Sequence, residues 1–279
     1  MKIGIIGAGR LGVTMGKYLR DAGLTVVGFY NKTKEHAIEA AKFTDTNYFS
    51  DLEKLVQASD TLFVATPDGV IAEIWDCIVS YDLTGKIVCH FSGSLSSHVF
   101  SGIEETGASG CSIHPMYAFS DKFHSYEQFH TACLVAEGEG SARQMMEQLF
   151  RDLGHTVLTI RAEDKVKYHA AAAMISNDMI ALLQTVLQLL EQCGFDGQDS
   201  LRLLTPIIHN NVDNMLQAGP KQALTGPIER GDVQTVQKHL QALQGTQADE
   251  VYRVLGRVLV DMVKEKYPDR DHTAMEKLF

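Results

Sequence analysis

The sequence predicts an α/β fold, a doubly wound parallel sheet followed by an all-helical C-terminal region. Three observations predict it. Short apolar runs alternate with amphipathic stretches up to about residue 160, a glycine-rich turn joins the first run to the first amphipathic stretch, and no strand pattern recurs beyond residue 162. Alternation of this kind requires crossover helices and a sheet covered on both faces.

The opening residues, MKIGIIGAGRLGVTMG, place Gly7, Gly9 and Gly12 in a GxGxxG spacing. The apolar run from Ile3 to Ile6 precedes the glycines, and a helical pattern of Leu11, Met15, Tyr18 and Leu19 follows them. A strand–turn–helix setting is what makes this spacing a Rossmann-type dinucleotide fingerprint. The first glycine permits the turn, the second lets backbone approach a pyrophosphate, and the third lets helix and strand pack closely. Free N–H groups at the helix start then face the phosphates. Gly7, Ala8, Gly9, Arg10, Leu11 and Gly12 are the expected diphosphate contacts.

Further strands are expected at 25–30, 61–65 and 87–91, with helices at 10–22, 33–43, 50–58 and 69–80. A second set, strands 108–113, 131–136 and 156–160 with a helix near 141–153, extends the same sheet. Residues 164–193 form a long helical candidate with no internal glycine or proline. Its apolar residues recur on nearly every side, so it must be buried. Helices near 232–243 and 247–266 can pack on it, and a second subunit can cover the remainder. The domains expected are therefore 1–162, for the dinucleotide, and 163–279, helical, for substrate and dimerisation.

Composition narrows the function classes. A chain of 279 residues with 45% hydrophobic and 22% charged residues suits one or two globular domains. The net charge of −10 argues against nucleic acid and anionic membranes as partners. No apolar stretch reads as long enough to span a bilayer, and the first apolar run is a strand, so cytoplasm is the default location. The five cysteines include no CxxC pair; four lie in apolar runs and read as buried free thiols, and no metal site is expected.

The second strand, VVGFY, ends at Tyr30 and is followed by Asn31, Lys32, Thr33 and Lys34. An NAD-binding acid is expected about 20 residues beyond the glycines, and none appears there. Polar and basic groups suit a 2′-phosphate, so the cofactor expected is NADP(H), held by Asn31, Lys32 and Thr33.

Ligands in such sheets lie beyond the carboxyl ends of the strands. Those ends carry Thr66-Pro67-Asp68, Ser92-Gly93-Ser94 and His114-Pro115-Met116. Thr66 and Pro67 are assigned to the ribose and diphosphate, Ser92 and Gly93 to the nicotinamide; Asp68 and Ser94 read as helix caps. His114 either binds substrate or donates a proton, or it holds the His-Pro turn. His169, Ala173 and Asn177 are spaced by four and share one face of a regular helix. His169 or Lys167 is then a candidate proton source and Asn177 a substrate-orienting group, although Lys165 and Lys167 read more simply as solvated first-turn residues. In the turn TGPIERGD, Asp232 reads as an N-cap, while Arg230 either meets a substrate carboxylate or pairs locally.

GAGRLG, ATPD at 65–68, HFSGSLSS at 90–97, SIHPMYAFSD at 112–121, KYHAAAAMISN at 167–177 and ALTGPIERGD at 223–232 together resemble one family. It is the group of Rossmann-like NADP oxidoreductases with a C-terminal helical domain of unassigned function. That group is similar in layout to ketopantoate reductase, pyrroline-5-carboxylate reductase, hydroxyisobutyrate dehydrogenase and the deazaflavin-dependent NADP reductases. The resemblance implies a dinucleotide domain, a helical dimerisation domain and a substrate cleft between them. Several relatives begin the long helix with a lysine followed at spacings of four or eight by an asparagine. Here His169 stands eight before Asn177 and Ala173 four before it, which departs from that pattern. The function expected is NADP-linked hydride transfer to or from a small polar metabolite. A non-catalytic NADP sensor or scaffold, or a flavin- or deazaflavin-linked reductase, is the alternative.

Overall fold

The computed structural model describes residues 1–279. The chain divides into two compact units, Met1–Ser176 and Asn177–Phe279.

The first unit carries an eight-stranded sheet in the order β3-β2-β1-β4-β5-β6-β7-β8. Its strands are β1 (Lys2–Ile6), β2 (Thr25–Tyr30), β3 (Asn47–Tyr48), β4 (Thr61–Val64), β5 (Ile87–His90), β6 (Ser109–Met116), β7 (Cys133–Gly138) and β8 (Val157–Thr159). The helices between them are α1 (Arg10–Asp21), α2 (Lys34–Thr44), α3 (Leu52–Ala58), α4 (Asp68–Ile78) and α5 (Gly140–Asp152). Alternate strand residues face opposite layers, as the pleat requires. Ile3, Ile5 and Phe63 pack with Val13, Met15 and Leu19 of α1, Ala37 and Ala40 of α2, and Met146 and Phe150 of α5. Ile6, Leu62 and Val64 pack on the other face with Leu55 of α3 and Ile71, Trp75 and Ile78 of α4. Two apolar layers thus sandwich the sheet, which is why its central strands read as unbroken apolar runs.

The sheet is parallel, as expected, at every pair but one. β6 and β7 run antiparallel, with Ser112 opposite Glu137 and His114 opposite Val135. The segment between them holds only a short 3-10 helix, Ser125–Thr131, and no crossover α-helix, so it returns the chain along the same edge. Of the cysteines, Cys89 and Cys111 are buried on paired strands, whereas Cys77, Cys133 and Cys193 are exposed, contrary to four buried thiols.

The helical run expected at 164–193 is present but not uniform. It comprises α6 (Lys165–Ala173), a π-helical turn over Met174–Asp178, and α7 (Met179–Gln192). A π turn closes i to i+5 rather than i to i+4, so the spacing argument that put His169 and Asn177 on one face does not carry through it. Residues 162–192 are also long and apolar enough to cross a membrane by length and composition, which corrects the expectation that no stretch is. This run is not buried within the single chain either: Ile175, Met179 and Ile180 are exposed, so its apolar surface is left uncovered.

The second unit also contains α8 (Gly197–Ala218), α9 (Pro220–Ala223), α10 (Pro227–Arg230), α11 (Val233–Leu243), α12 (Gln247–Lys266) and α13 (Thr273–Glu276). Its core gathers Ile228, Val236, Leu240, Val260, Val263 and Met275. The Asp232 carboxylate accepts from Thr235 N–H at 3.0 Å, the expected cap. Glu229 is engaged by Tyr267 and Lys266.

Candidate active site

The glycine turn follows β1. Gly7 has φ +112°, and a Cβ there would overlap the Ala65 carbonyl oxygen; a Cβ on Gly12 would overlap the Gly7 carbonyl oxygen. Those contacts press the start of α1 against β1 and β4. Gly9 has open space where its Cβ would be. Gly9 is the N-cap of α1 with no side-chain cap, and the first turn holds no acidic residue. Arg10 is exposed and Leu11 packs against the core. The leading N–H groups of a helix have no intrahelical acceptor, so this turn offers an uncapped, unopposed positive end to an anion. The residues present fit a dinucleotide diphosphate.

Asn31, just past β2, accepts from Ala8 N–H at 3.1 Å and donates to the Thr33 carbonyl at 3.0 Å. It therefore ties the glycine turn to the start of α2, where Thr33 is the N-cap. Lys32 is exposed beside it. After β4, the Thr66 hydroxyl is buried with no hydrogen-bond partner, and Pro67 is the N-cap of α4.

Asp68 does not cap α4. Its Oδ2 accepts from the Ser92 hydroxyl at 2.7 Å and the Ser94 hydroxyl at 2.8 Å, so Ser94 is no helix cap either. The Ser92 hydroxyl in turn accepts from the N–H groups of Ser94 and Leu95. The Ser92–Gly93–Ser94 turn at the end of β5 is thus folded on its own serine and anchored to α4.

His114 and His169 converge on this turn. A Cβ on Gly93 would overlap His169 Nδ1 and come within 2.9 Å of His114 Nε2. The two imidazole rings meet edge to face, centroids 5.7 Å apart. His169 Nδ1 is buried without a partner. His114 Nδ1 lies 2.7 Å from the Tyr168 hydroxyl. Burial first, then the positive charges of Lys165 and His169, push His114 down to about 4. Burial lifts Tyr168 to about 12. At neutral pH the pair is imidazole and phenol, both uncharged.

Lys165 overturns the solvated-lysine reading. It is 1% exposed, its Nζ donating to the Ser92 carbonyl at 2.8 Å and to the Ser112 hydroxyl at 2.7 Å. Ser112 donates to Glu137 Oε2 at 2.9 Å, and Glu137 also accepts from the N–H and hydroxyl of Ser97. Burial brings Lys165 down to about 8, against the pull of Glu137, Cys89, Asp68 and Cys111. His90, the last residue of β5, accepts from Ser92 N–H at 3.2 Å, and burial sends it to about 4. Lys167 is exposed on α6. Asn177 opens the second unit within the π-helical turn. The sequence motifs give no site role to Tyr168, Lys165, Ser112 or Glu137. A signal existed for Glu137: a carboxylate inside the apolar strand CLVAEG needs a partner to be buried there.

Residues 1–115 match the model of a Rossmann-like domain, and residues 132–259 match that of a domain of unknown function, DUF2520. The chain pairs a Rossmann-like domain with a DUF2520 domain. The DUF2520 match begins in the sheet, at the start of β7, and runs into α12. The chain is 25% identical over 158 residues to the Bacillus subtilis (strain 168) protein named "Putative 6-phosphogluconate dehydrogenase YqeC", a match covering 54% of this chain and 50% of that protein. It therefore spans about half the length of that curated relative. Among solved structures, "putative NADP oxidoreductase BF3122 from Bacteroides fragilis" aligns with a TM-score of 0.73 at 24% identity, over 93% of this chain and 98% of that one. Protein TM1727 from Thermotoga maritima aligns with a TM-score of 0.73 at 21% identity, over 95% and 99%. A reductive aminase from Aspergillus terreus, solved with NADPH and ethyl-5-oxohexanoate, aligns with a TM-score of 0.69 at 17% identity, over 100% and 98%. At these identities the likeness establishes the shared fold: a Rossmann-type sheet followed by helices.

Proposed function

We propose that this protein is an NADP(H)-dependent oxidoreductase acting between a carbonyl or imine and the corresponding alcohol or amine of a small polar metabolite. The observation that carries this reading is the meeting of His114 and His169 on Gly93. In β1, β4 and β5 the register pairs Ile6 with Val64 and Val64 with His90, so the glycine turn, Thr66 and Gly93 follow strand ends on one edge. A dinucleotide gripped at the glycines extends along that edge toward the histidines. The names of the structural neighbours, an NADP oxidoreductase and a reductive aminase with NADPH among them, agree with that reading.

Bound NADPH supplies a hydride at its nicotinamide ring. The protein's task is to hold the acceptor and manage the accompanying proton. Nδ1 of His114 is 2.7 Å from the Tyr168 hydroxyl and Nε2 faces Gly93; in the tautomer that accepts from the phenol at Nδ1, the imidazole hydrogen stands on Nε2. That neutral N–H polarises the substrate oxygen or nitrogen. His169 delivers the proton. Lys32 and Asn31 receive the 2′-phosphate, and Thr66 and Pro67 the ribose side. NADPH suits a cytoplasmic location. A second copy of the chain covers the exposed apolar residues of α7 and α8, among them Ile180, Leu203 and Ile207.

The test is titration of the folded protein with NADPH and NADH, then a carbonyl and imine panel followed by NADPH absorbance. Binding with turnover is expected, and turnover is expected to fall in His169→Ala while NADPH binding persists. Absence of dinucleotide binding overturns the reading; binding without turnover of any panel member favours a sensor.

A further inference from the structure

The Ser92–Gly93–Ser94 turn is gripped from two sides. Asp68 takes both serine hydroxyls, and Lys165 takes the Ser92 carbonyl. Burying an ammonium is costly unless it is fully paired, and an apolar residue of similar volume is often at least as stabilising. Lys165 stands at the first turn of α6, yet its side chain reaches the loop after β5 and the middle of β6. Its second bond, to Ser112, is backed by Glu137 on β7, itself fixed by Ser97. The ammonium is therefore fixed on one side by a strand-borne network and presents its remaining reach to a single loop carbonyl. That carbonyl precedes Gly93, whose missing side chain is what admits both imidazoles.

We propose that Lys165 is a positioning residue, which ties the Ser92 carbonyl to the Ser112–Glu137 network and so holds Gly93 at the height where His114, His169 and the nicotinamide end of the dinucleotide meet. The inference rests on the dinucleotide reading above. Loss of the tie frees the turn, so a ligand that needs Gly93 held in place must order it on binding and loses about tenfold or more in affinity. The change is confined to ligands that reach the turn. The adenosine end, held at the glycines and Lys32, does not depend on it.

The experiment titrates wild type and Lys165→Met with two probes: NADPH, and adenosine 2′,5′-bisphosphate, which carries the adenosine end alone. Lys165→Met is expected to lose about tenfold or more in NADPH affinity while binding adenosine 2′,5′-bisphosphate within about twofold of wild type. Unchanged NADPH affinity overturns the inference and leaves the dinucleotide reading standing. Equal losses on both probes also overturn it, since they describe a general fold contact. Failure of the wild type to bind either probe overturns the dinucleotide reading and this inference with it. Should Lys165→Met not fold, Ser112→Ala removes the anchor but keeps the lysine. It is expected to show a smaller loss confined to NADPH, and no loss there overturns the proposal.

Discussion

The phenol of Tyr168 lies 2.7 Å from Nδ1 of His114, with the two rings edge to face. A phenol raised to about 12 beside an imidazole lowered to about 4 is a neutral donor–acceptor pair. Tyr168→Phe removes the donor and leaves Nδ1 unpaired. Turnover should fall roughly 10- to 100-fold, with NADPH affinity unchanged, if His114 polarises the substrate as proposed, because the interaction acts on that imidazole and not on the cofactor. Nitrogen NMR of His114 should show the Nε2–H tautomer in wild type and a mixture in the variant.

Gly93→Ala places a methyl group into His169 Nδ1 and against His114 Nε2. Both rings belong to a packed cluster, so the overlap should cost about 1–3 kcal/mol of stability. Denaturant unfolding should read that loss. NADPH turnover should drop further than stability does, since the displaced groups are the two histidines proposed to face the ligand.

Lys32→Asp sets a carboxylate where a 2′-phosphate is expected. NADPH affinity should fall by about tenfold or more, with NADH affinity equal or improved. Parallel titrations with the two cofactors decide it, and a proportional loss of both would remove Lys32 from the pocket.

Acid should destabilise the first unit through His90 and His114. Both have folded values near 4 against an ordinary 6.5, so the unfolded chain binds more protons in that window. Stability is full above pH 6.5 and declines as pH falls toward 4, by up to about 3 kcal/mol for buried His90 and by less for half-buried His114. Lys165 acts at the other end. Its folded value near 8 lies below the ordinary 10.5, so its buried charge weighs on stability below pH 8, and that weight lifts between pH 8 and 10.5. Chemical unfolding across pH should show a shallower acid limb in His90→Gln and a flatter alkaline limb in Lys165→Met than in wild type.

Much of this molecule is legible in the sequence because its signals are periodic. The glycine turn, the apolar strands and the alternation with helices each follow from local residue order. β3 is two residues long and leaves no pattern to read. The direction of β7 is invisible because an apolar strand looks the same run either way. α8 escaped because Pro206 sits inside it, where a proline ordinarily ends a helix. Lys165 reads as solvated for a statistical reason: lysines usually lie on surfaces. What buries this one is a serine 73 residues away and another 53 away, contacts that no local window contains. Asp68 fits a cap by position, and only the folded turn shows it holding Ser92 and Ser94 instead.

The reversal at β7 gives the ligand-facing rim an end. Parallel strands would keep adding loops to that rim; here the series stops with Met116, and residues 117–132 come back to the same border to begin β7. A segment that leaves and re-enters at one border need not shift any strand when its length changes. Its centre is pinned all the same: Phe129 is fully buried and its ring meets Tyr18 of α1 edge to face, so a change of length there is transmitted to the helix that the glycine turn opens.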